Sequence, residues 1–182
     1  MNSGDTTFKQ TPFDVLVRIE RKWRVLTPVL PQEEGDRRRW TGVHFRIRGF
    51  DLVVPIGQLH EIIDMPTAFP IPGVKHWVLG MANRRGNLLP IVDLGKFIFA
   101  DDVSAQGRLL IIKIEGSMVG LRVDAVYGMR HFWEDHKIPK IPELPDRLRK
   151  FVKEAYLEGD RVWAIFDIDA LKTSQDFMDA AA

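Results

Sequence analysis

The sequence predicts a mainly β protein of many short strands, arranged as small barrels or a sandwich and accompanied by few helices. Three observations carry the prediction. From Trp40 onward the apolar residues recur at every second position, as in Val43, Phe45 and Ile47 set against His44, Arg46 and Arg48. Pairs of such runs flank tight-turn signals at Gly49, at Asn83-Arg84-Arg85-Gly86, at Glu115-Gly116 and at Glu158-Gly159-Asp160. Prolines clustered at 66, 70 and 72, and again at 139, 142 and 145, leave no room for long helices within those two stretches.

In chain order, residues 1–10 are polar and read as a disordered tail. Residues 11–39 read as a helix followed by a charged linker. Thr11 is placed to cap the helix, Pro12 occupies its first position and Asp14 lies in its first turn. Leu16, Ile19, Trp23, Leu26 and Leu30 form one apolar stripe, and Pro28 and Pro31 end or kink the helix. The stripe suits either this protein's own core or a docked partner. Arg37-Arg38-Arg39 reads as a solvated linker.

A folded domain is then expected over residues 40–182. A hairpin with one buried face runs through Val43 to Val54, and Leu59, Ile62 and Ile63 form a short apolar stripe before an extended, proline-rich crossover. Trp77 to Leu79 and Leu88 to Val92 form a second hairpin around the paired arginines. Leu94 to Ala100 suits one or two helical turns. Ser104 to Gly107 is a linker, which puts a boundary between two subdomains at about residues 101–107. Leu109 to Ile114 reads as a buried strand with Met118 to Val126 as its partner, and Gly128 marks a bend or bulge in the mixed stretch that follows. Residues 136–149 read as a loop or strand edge. Phe151 to Leu157 and Arg161 to Phe166 form a third hairpin, and Asp167 can cap a last helix running to Phe177.

Composition narrows the function. The chain has 182 residues, 45% of them hydrophobic, which is enough for a sizeable core. Its 26 Lys and Arg against 25 Asp and Glu lack the basic excess of a general nucleic-acid binder. With no cysteine, thiolate nucleophiles, disulfides and Cys-based zinc sites are excluded. No signal-peptide pattern and no apolar run of bilayer-spanning length occurs, so a soluble cytoplasmic protein is expected.

Reaction centres are not legible. His131, Glu134, Asp135 and His136 match no common metal spacing, and His60-Glu61 is followed by Asp64 where a metalloprotease helix needs histidine. No phosphate loop, GxGxxG or GxSxG motif occurs. No cofactor or metal is expected. What stands out is surface chemistry. The adjacent Arg84 and Arg85 sit at a turn where Ser or Lys would serve solubility, and a guanidinium fork suits recognition. Leu59, Met81, Met118, Met129, Phe132 and Trp133 add apolar character. A protein-binding module is the reading these residues favour.

Phe45-Arg46-Ile47, Leu52-Val53-Val54-Pro55-Ile56 and Leu59-His60-Glu61-Ile62-Ile63 are followed by Gly80-Met81-Ala82-Asn83-Arg84-Arg85-Gly86 and Leu89-Pro90-Ile91-Val92-Asp93-Leu94. Gly120-Leu121-Arg122-Val123-Asp124-Ala125-Val126 completes the set. This ordered set, across residues 43–172, resembles the CheW-like adaptor family. Its signature is G-V-x-N-x-R-G-x-x-x-P-V-x-D-L, and here Met81 and Ile91 replace its valines. The N-terminal helix region resembles the PilI-type branch, found in pilus-associated chemosensory systems that control twitching motility.

The resemblance implies two small five-stranded SH3-like barrels with short helices. It also implies a non-enzymatic adaptor between a methyl-accepting chemoreceptor and a CheA-type histidine kinase, cytoplasmic and recruited to receptor arrays, without direct membrane insertion or nucleic acid. By motif position, Leu59, Gly80, Arg85, Leu109 and Met129 would face the receptor, and Ile56, Glu61 and Ile62 the kinase's regulatory domain. Arg84 stands where the family usually has an apolar residue. The rival reading from another class is a nucleic-acid-binding small barrel using Arg37–Arg39, Arg84, Arg85, His131 and Trp133. A hydrolase built on His131, Asp135 and His136 is a further alternative.

Overall fold

A computed structural model of the chain describes residues 38–101 and 107–181. The expected N-terminal tail and helix lie outside the described residues, as does most of the 101–107 linker. The first sheet contains β1 (Arg39–Ile47), β2 (Phe50–Pro55), β8 (Ala125–Trp133), β9 (Lys137–Ile138), β10 (Val152–Glu158) and β11 (Arg161–Phe166), in the order β8-β1-β2-β11-β10-β9. The second contains β3 (Glu61–Asp64), β4 (Val78–Arg84), β5 (Asn87–Asp93), β6 (Arg108–Ile114) and β7 (Ser117–Val123), in the order β3-β6-β7-β5-β4. The mainly β, two-sheet architecture is as the sequence predicts.

Three hairpins turn on residue pairs with positive φ at both positions: Arg48 and Gly49 (46° and 83°), Arg85 and Gly86 (49° and 85°), and Glu115 and Gly116 (47° and 88°). Such primed turns match the right-handed twist of the strands they join. Arginine and glutamate enter the left-handed region at a cost that the paired strands offset.

Residues 101–107 do not separate the sheets. β5 before them and β6 after them share one sheet, because the chain leaves the first sheet after β2 and returns to it only at β8. The chain passes between the sheets twice, once between β2 and β3 and once between β7 and β8. The second crossing also splits the strand read as Met118 to Val126. β7 ends at Val123, and Asp124 donates its backbone N–H to the Arg46 carbonyl at 2.9 Å, which redirects the chain into β8. The irregularity expected at Gly128 is present: the register with β1 shifts between His44 and Phe45, and Gly128 has φ 115°.

A shared core lies between the sheets, with Phe45, Ile47, Leu52, Val54 and Phe166 from one and Val92, Leu110, Ile112, Leu121 and Val123 from the other. Each sheet also has its own cluster, Val53, Phe132, Tyr156, Trp163 and Ile165 in the first and Ala82, Leu89, Ile91, Leu109 and Ile111 in the second. Trp40 stacks on Phe132 at 4.8 Å and meets Tyr156 edge-on at 5.1 Å, so the first sheet curls until β1 and β8 approach β10. The hairpin expected to bury one face thus buries both in its middle. His44 and Val53 point into the curled sheet while Phe45 and Leu52 point at its neighbour.

Four short helices complete the described residues: α1 (Leu94–Phe99), α2 (Asp146–Arg149), α3 (Ile168–Lys172) and α4 (Gln175–Met178). Asp93 caps α1 by accepting from the Lys96 N–H, and Asp167 caps α3 by accepting from the N–H groups of Asp169 and Ala170. The final helix breaks into two at Thr173 and Ser174, and α2 lies within the stretch read as a loop. An aromatic set of Trp77, Phe97, Phe151 and Phe177, with ring centroids 5.2–5.8 Å apart along its contacts, holds these helices against the core.

Arg48 ties the two sheets electrostatically. From the β1–β2 turn its side chain reaches Asp101 at 2.8 Å and Asp124 at 2.9 Å, with Asp93 at 3.7 Å, and Arg122 closes on Asp93 from the other side. Gly95 leaves the space, since a Cβ there would come within 2.7 Å of the guanidinium carbon.

Candidate functional site

The β4–β5 hairpin carries the paired arginines at one end of the second sheet. Its turn is narrower than the sequence suggests: Asn83 and Arg84 remain in β4, leaving Arg85 and Gly86 as the two turn residues. The Asn83 side-chain carbonyl accepts from the Gly86 N–H at 3.0 Å, which fixes the turn locally.

The two arginines do different things. Arg84 reaches across to Glu61 on β3, donating from Nε to one carboxylate oxygen at 3.2 Å and from Nη2 to the other. Because β3 and β4 are the two edges of this sheet, the fork clasps its edges together. Its hydrogen bonds hold the Glu61 carboxyl below the usual carboxylate range, with smaller help from the charges of Arg85 and His60. Arg85 is exposed and has no hydrogen-bond or ion-pair partner among the described residues. The departure at position 84 is therefore a clasp, and the motif arginine at 85 faces solvent.

Gly80 closes the same sheet by a backbone approach. Phe69, in the crossover, exchanges two backbone hydrogen bonds with Met81, at 2.8 and 2.9 Å. Gly80 adopts φ 130°, and a Cβ on it would lie 2.1 Å from the Phe69 carbonyl oxygen. Only glycine fits.

Between these parts is a depression of ≈ 220 Å³, lined by His60, Glu61, Arg84, Arg85, Leu88, Met118 and the underlying Leu89 and Ile111. Leu88 is 68% exposed at its lip, an apolar residue on a turn that solubility would not select.

The sequence-assigned residues fall into three places. Arg85 and Glu61, one assigned to each partner, meet at this depression. Leu59, Ile62 and Met129 lie toward the shared core, and Ile56 lies outside both sheets in the turn between β2 and β3. Leu59 and Ile62 pack against that core, Ile56 is 44% exposed in the 3-10 turn after β2, and Met129 is 66% exposed opposite Val43 of the core. Gly80 and Leu109 are interior: Leu109 is 0% exposed inside the second sheet's own cluster, so its part in any interface is to shape the wall behind it.

Phe132, one of the apolar residues that read as surface, is core. His131 is occupied by a 2.9 Å contact with the Thr41 hydroxyl. Among the described residues no group of three or more His, Cys, Asp or Glu side chains is arranged to hold a metal, and no helix is long and apolar enough to cross a membrane. The Arg84–Glu61 clasp and the Arg48 network went unseen in the sequence. The one available signal for the clasp was an arginine where an apolar residue is usual.

Comparison with known proteins agrees with this geometry. Protein PilI of Pseudomonas aeruginosa is 37% identical over 174 residues, covering 94% of this chain and 97% of that protein. A probable chemotaxis protein CheW of Rhizobium etli is 29% identical over 141 residues, covering 76% of this chain and 88% of that one. The scaffolding protein TtCheW of Thermoanaerobacter tengcongensis shares the fold, with a TM-score of 0.62 and 23% identity over 71% of this chain and 90% of its own. Residues 41–176 match the CheW-like domain, and the chain belongs to the CheW-like family of chemosensory scaffold proteins.

Proposed function

We propose that this chain is a non-enzymatic adaptor that couples a methyl-accepting chemoreceptor to a CheA-type histidine kinase, in a cytoplasmic array that controls twitching motility through type IV pili. The observation that carries the reading is Arg85. It is an exposed guanidinium on a two-residue turn, with no hydrogen-bond or ion-pair partner among the described residues, in the motif position through which the family resemblance assigns receptor contact. Met129 and Leu59 add apolar area for the receptor, with Gly80 and Leu109 supporting from within. Ile56 and Ile62, with Glu61, offer an edge for the kinase's regulatory domain. The similarity to PilI over nearly the whole chain supports the pilus assignment.

The mechanism is positional. Two partners held on one rigid body exchange coupling free energy, about 1–3 kcal/mol in typical cases, so that receptor conformation biases kinase activity without chemistry in the adaptor. The test is binding of the purified chain to its own receptor tip and kinase, followed by Arg85→Asn. Asparagine keeps the left-handed backbone while removing the cation. Weakened receptor binding with kinase binding and melting temperature retained supports the reading, and binding of the parent chain to neither partner refutes it. The nucleic-acid alternative is weakened because Arg84, one of its cations, is already committed to Glu61.

A further inference from the structure

The depression at the arginine turn has a sign and a shape. Arg84 and Arg85 stand on its rim against the single carboxylate of Glu61, and Arg84 engages both oxygens of that carboxylate. Leu88 and Met118 make its lip and wall apolar, with Leu89 and Ile111 beneath. A cationic segment arriving here would have to displace Arg84 from a two-point bond and face Arg85 at the same time. A carboxylate would meet Arg85 directly and share Arg84, while a neighbouring apolar side chain entered the ≈ 220 Å³ space beside Leu88.

We propose that this depression seats an acidic, apolar-tipped segment of the receptor, and that the Arg84–Glu61 pair sets its charge selectivity. The inference rests on the adaptor reading above, names the chemistry of the segment that reading requires, and moves Glu61 from the kinase edge to the receptor's seat. Glu61 acts as a built-in competitor: it occupies Arg84 in the free protein, so an incoming carboxylate binds against it. The site consequently rejects bases and grades acids by how well they share the fork.

Charge selectivity and simple bracing of the hairpin make opposite predictions. The full chain is titrated calorimetrically against the cytoplasmic tip of its own receptor, with the kinase and a melting curve measured in parallel. Glu61→Gln removes the competitor and is expected to tighten tip binding severalfold. Arg84→Leu releases a carboxylate into the site and is expected to weaken it about tenfold, the scale of a charged hydrogen bond. The double variant Arg84→Leu with Glu61→Gln returns to near the parent affinity. If the pair only braced the hairpin, both single substitutions would weaken binding and lower the melting temperature together. The proposal is overturned by Glu61→Gln that fails to tighten binding, or by Arg84→Leu that leaves it unchanged. Those results would leave the adaptor reading intact, whereas a parent chain that binds neither tip nor kinase removes that reading itself.

Discussion

Replacing Gly80 with alanine isolates a motif glycine whose role is architectural. The added Cβ would stand 2.1 Å from the Phe69 carbonyl oxygen and 2.6 Å from its carbon, both backbone atoms that no rotamer change can move. The φ of 130° is itself closed to an L side chain. Strain of this kind costs about 1–3 kcal/mol. Relieving it by pushing the crossover away breaks the two Phe69–Met81 hydrogen bonds, about 0.5–1.5 kcal/mol each. The total is about 2–6 kcal/mol, which in a chain of this size corresponds to a melting point lower by roughly 5–20 °C. Circular dichroism melts with urea titration measure it, and receptor binding falls because the hairpin carrying Arg84 and Arg85 is no longer pinned to the crossover. A variant destabilised by less than about 1 kcal/mol that still lost receptor binding would refute the argument and make Gly80 a contact residue.

The other predictions concern the core and its charges. Arg48→Ala leaves Asp93 and Asp124 without their shared cation in a partly buried place, and is expected to cost about 3–5 kcal/mol in urea unfolding. Leu109→Ala opens a cavity in the second sheet's cluster and is expected to cost about 2–5 kcal/mol, so any loss of receptor binding should track loss of fold. Burial pushes the His44 imidazole below its ordinary value of 6.5, against the opposing hydrogen bond to Asp51. The unfolded chain therefore binds more protons than the folded one as pH falls through 6.5, and the melting temperature should be flat above that value and decline below it. His44→Gln should flatten the decline between 6.5 and the lowered folded value, and an unchanged slope would place its cause elsewhere. Asp51, held well below the carboxylate range by Arg46, supplies stability present above about 3.8 and lost in stronger acid.

The hairpins were legible because their signals are local. A two-residue turn that tolerates positive φ and a period of two on either side are contained within about a dozen residues, and Asp167 announces its helix just as locally. Arg85 was legible for a different reason, as the motif arginine of a turn whose neighbours also match. Leu109 shows where such reading stops. The run from Leu109 to Ile112 is apolar on both faces, so alternation cannot tell which side becomes the interior of the second sheet and which joins the shared core.

By itself, the sequence determined the β class, the hairpins, the helix cap at Asp167 and the family. Each follows from residue type, turn chemistry or an ordered motif. Only the tertiary structure decided that the sheets interleave, that Arg48 reaches Asp124 across 76 positions, and that Arg84 closes on Glu61 across 23. These depend on which strand edges meet, and that is set by burying apolar faces on both sides of the same strands at once. No local pattern records the outcome. The paired arginines carry the lesson in two adjacent residues: one was readable from its turn, and the other acquired its role only when the edges of its sheet came together.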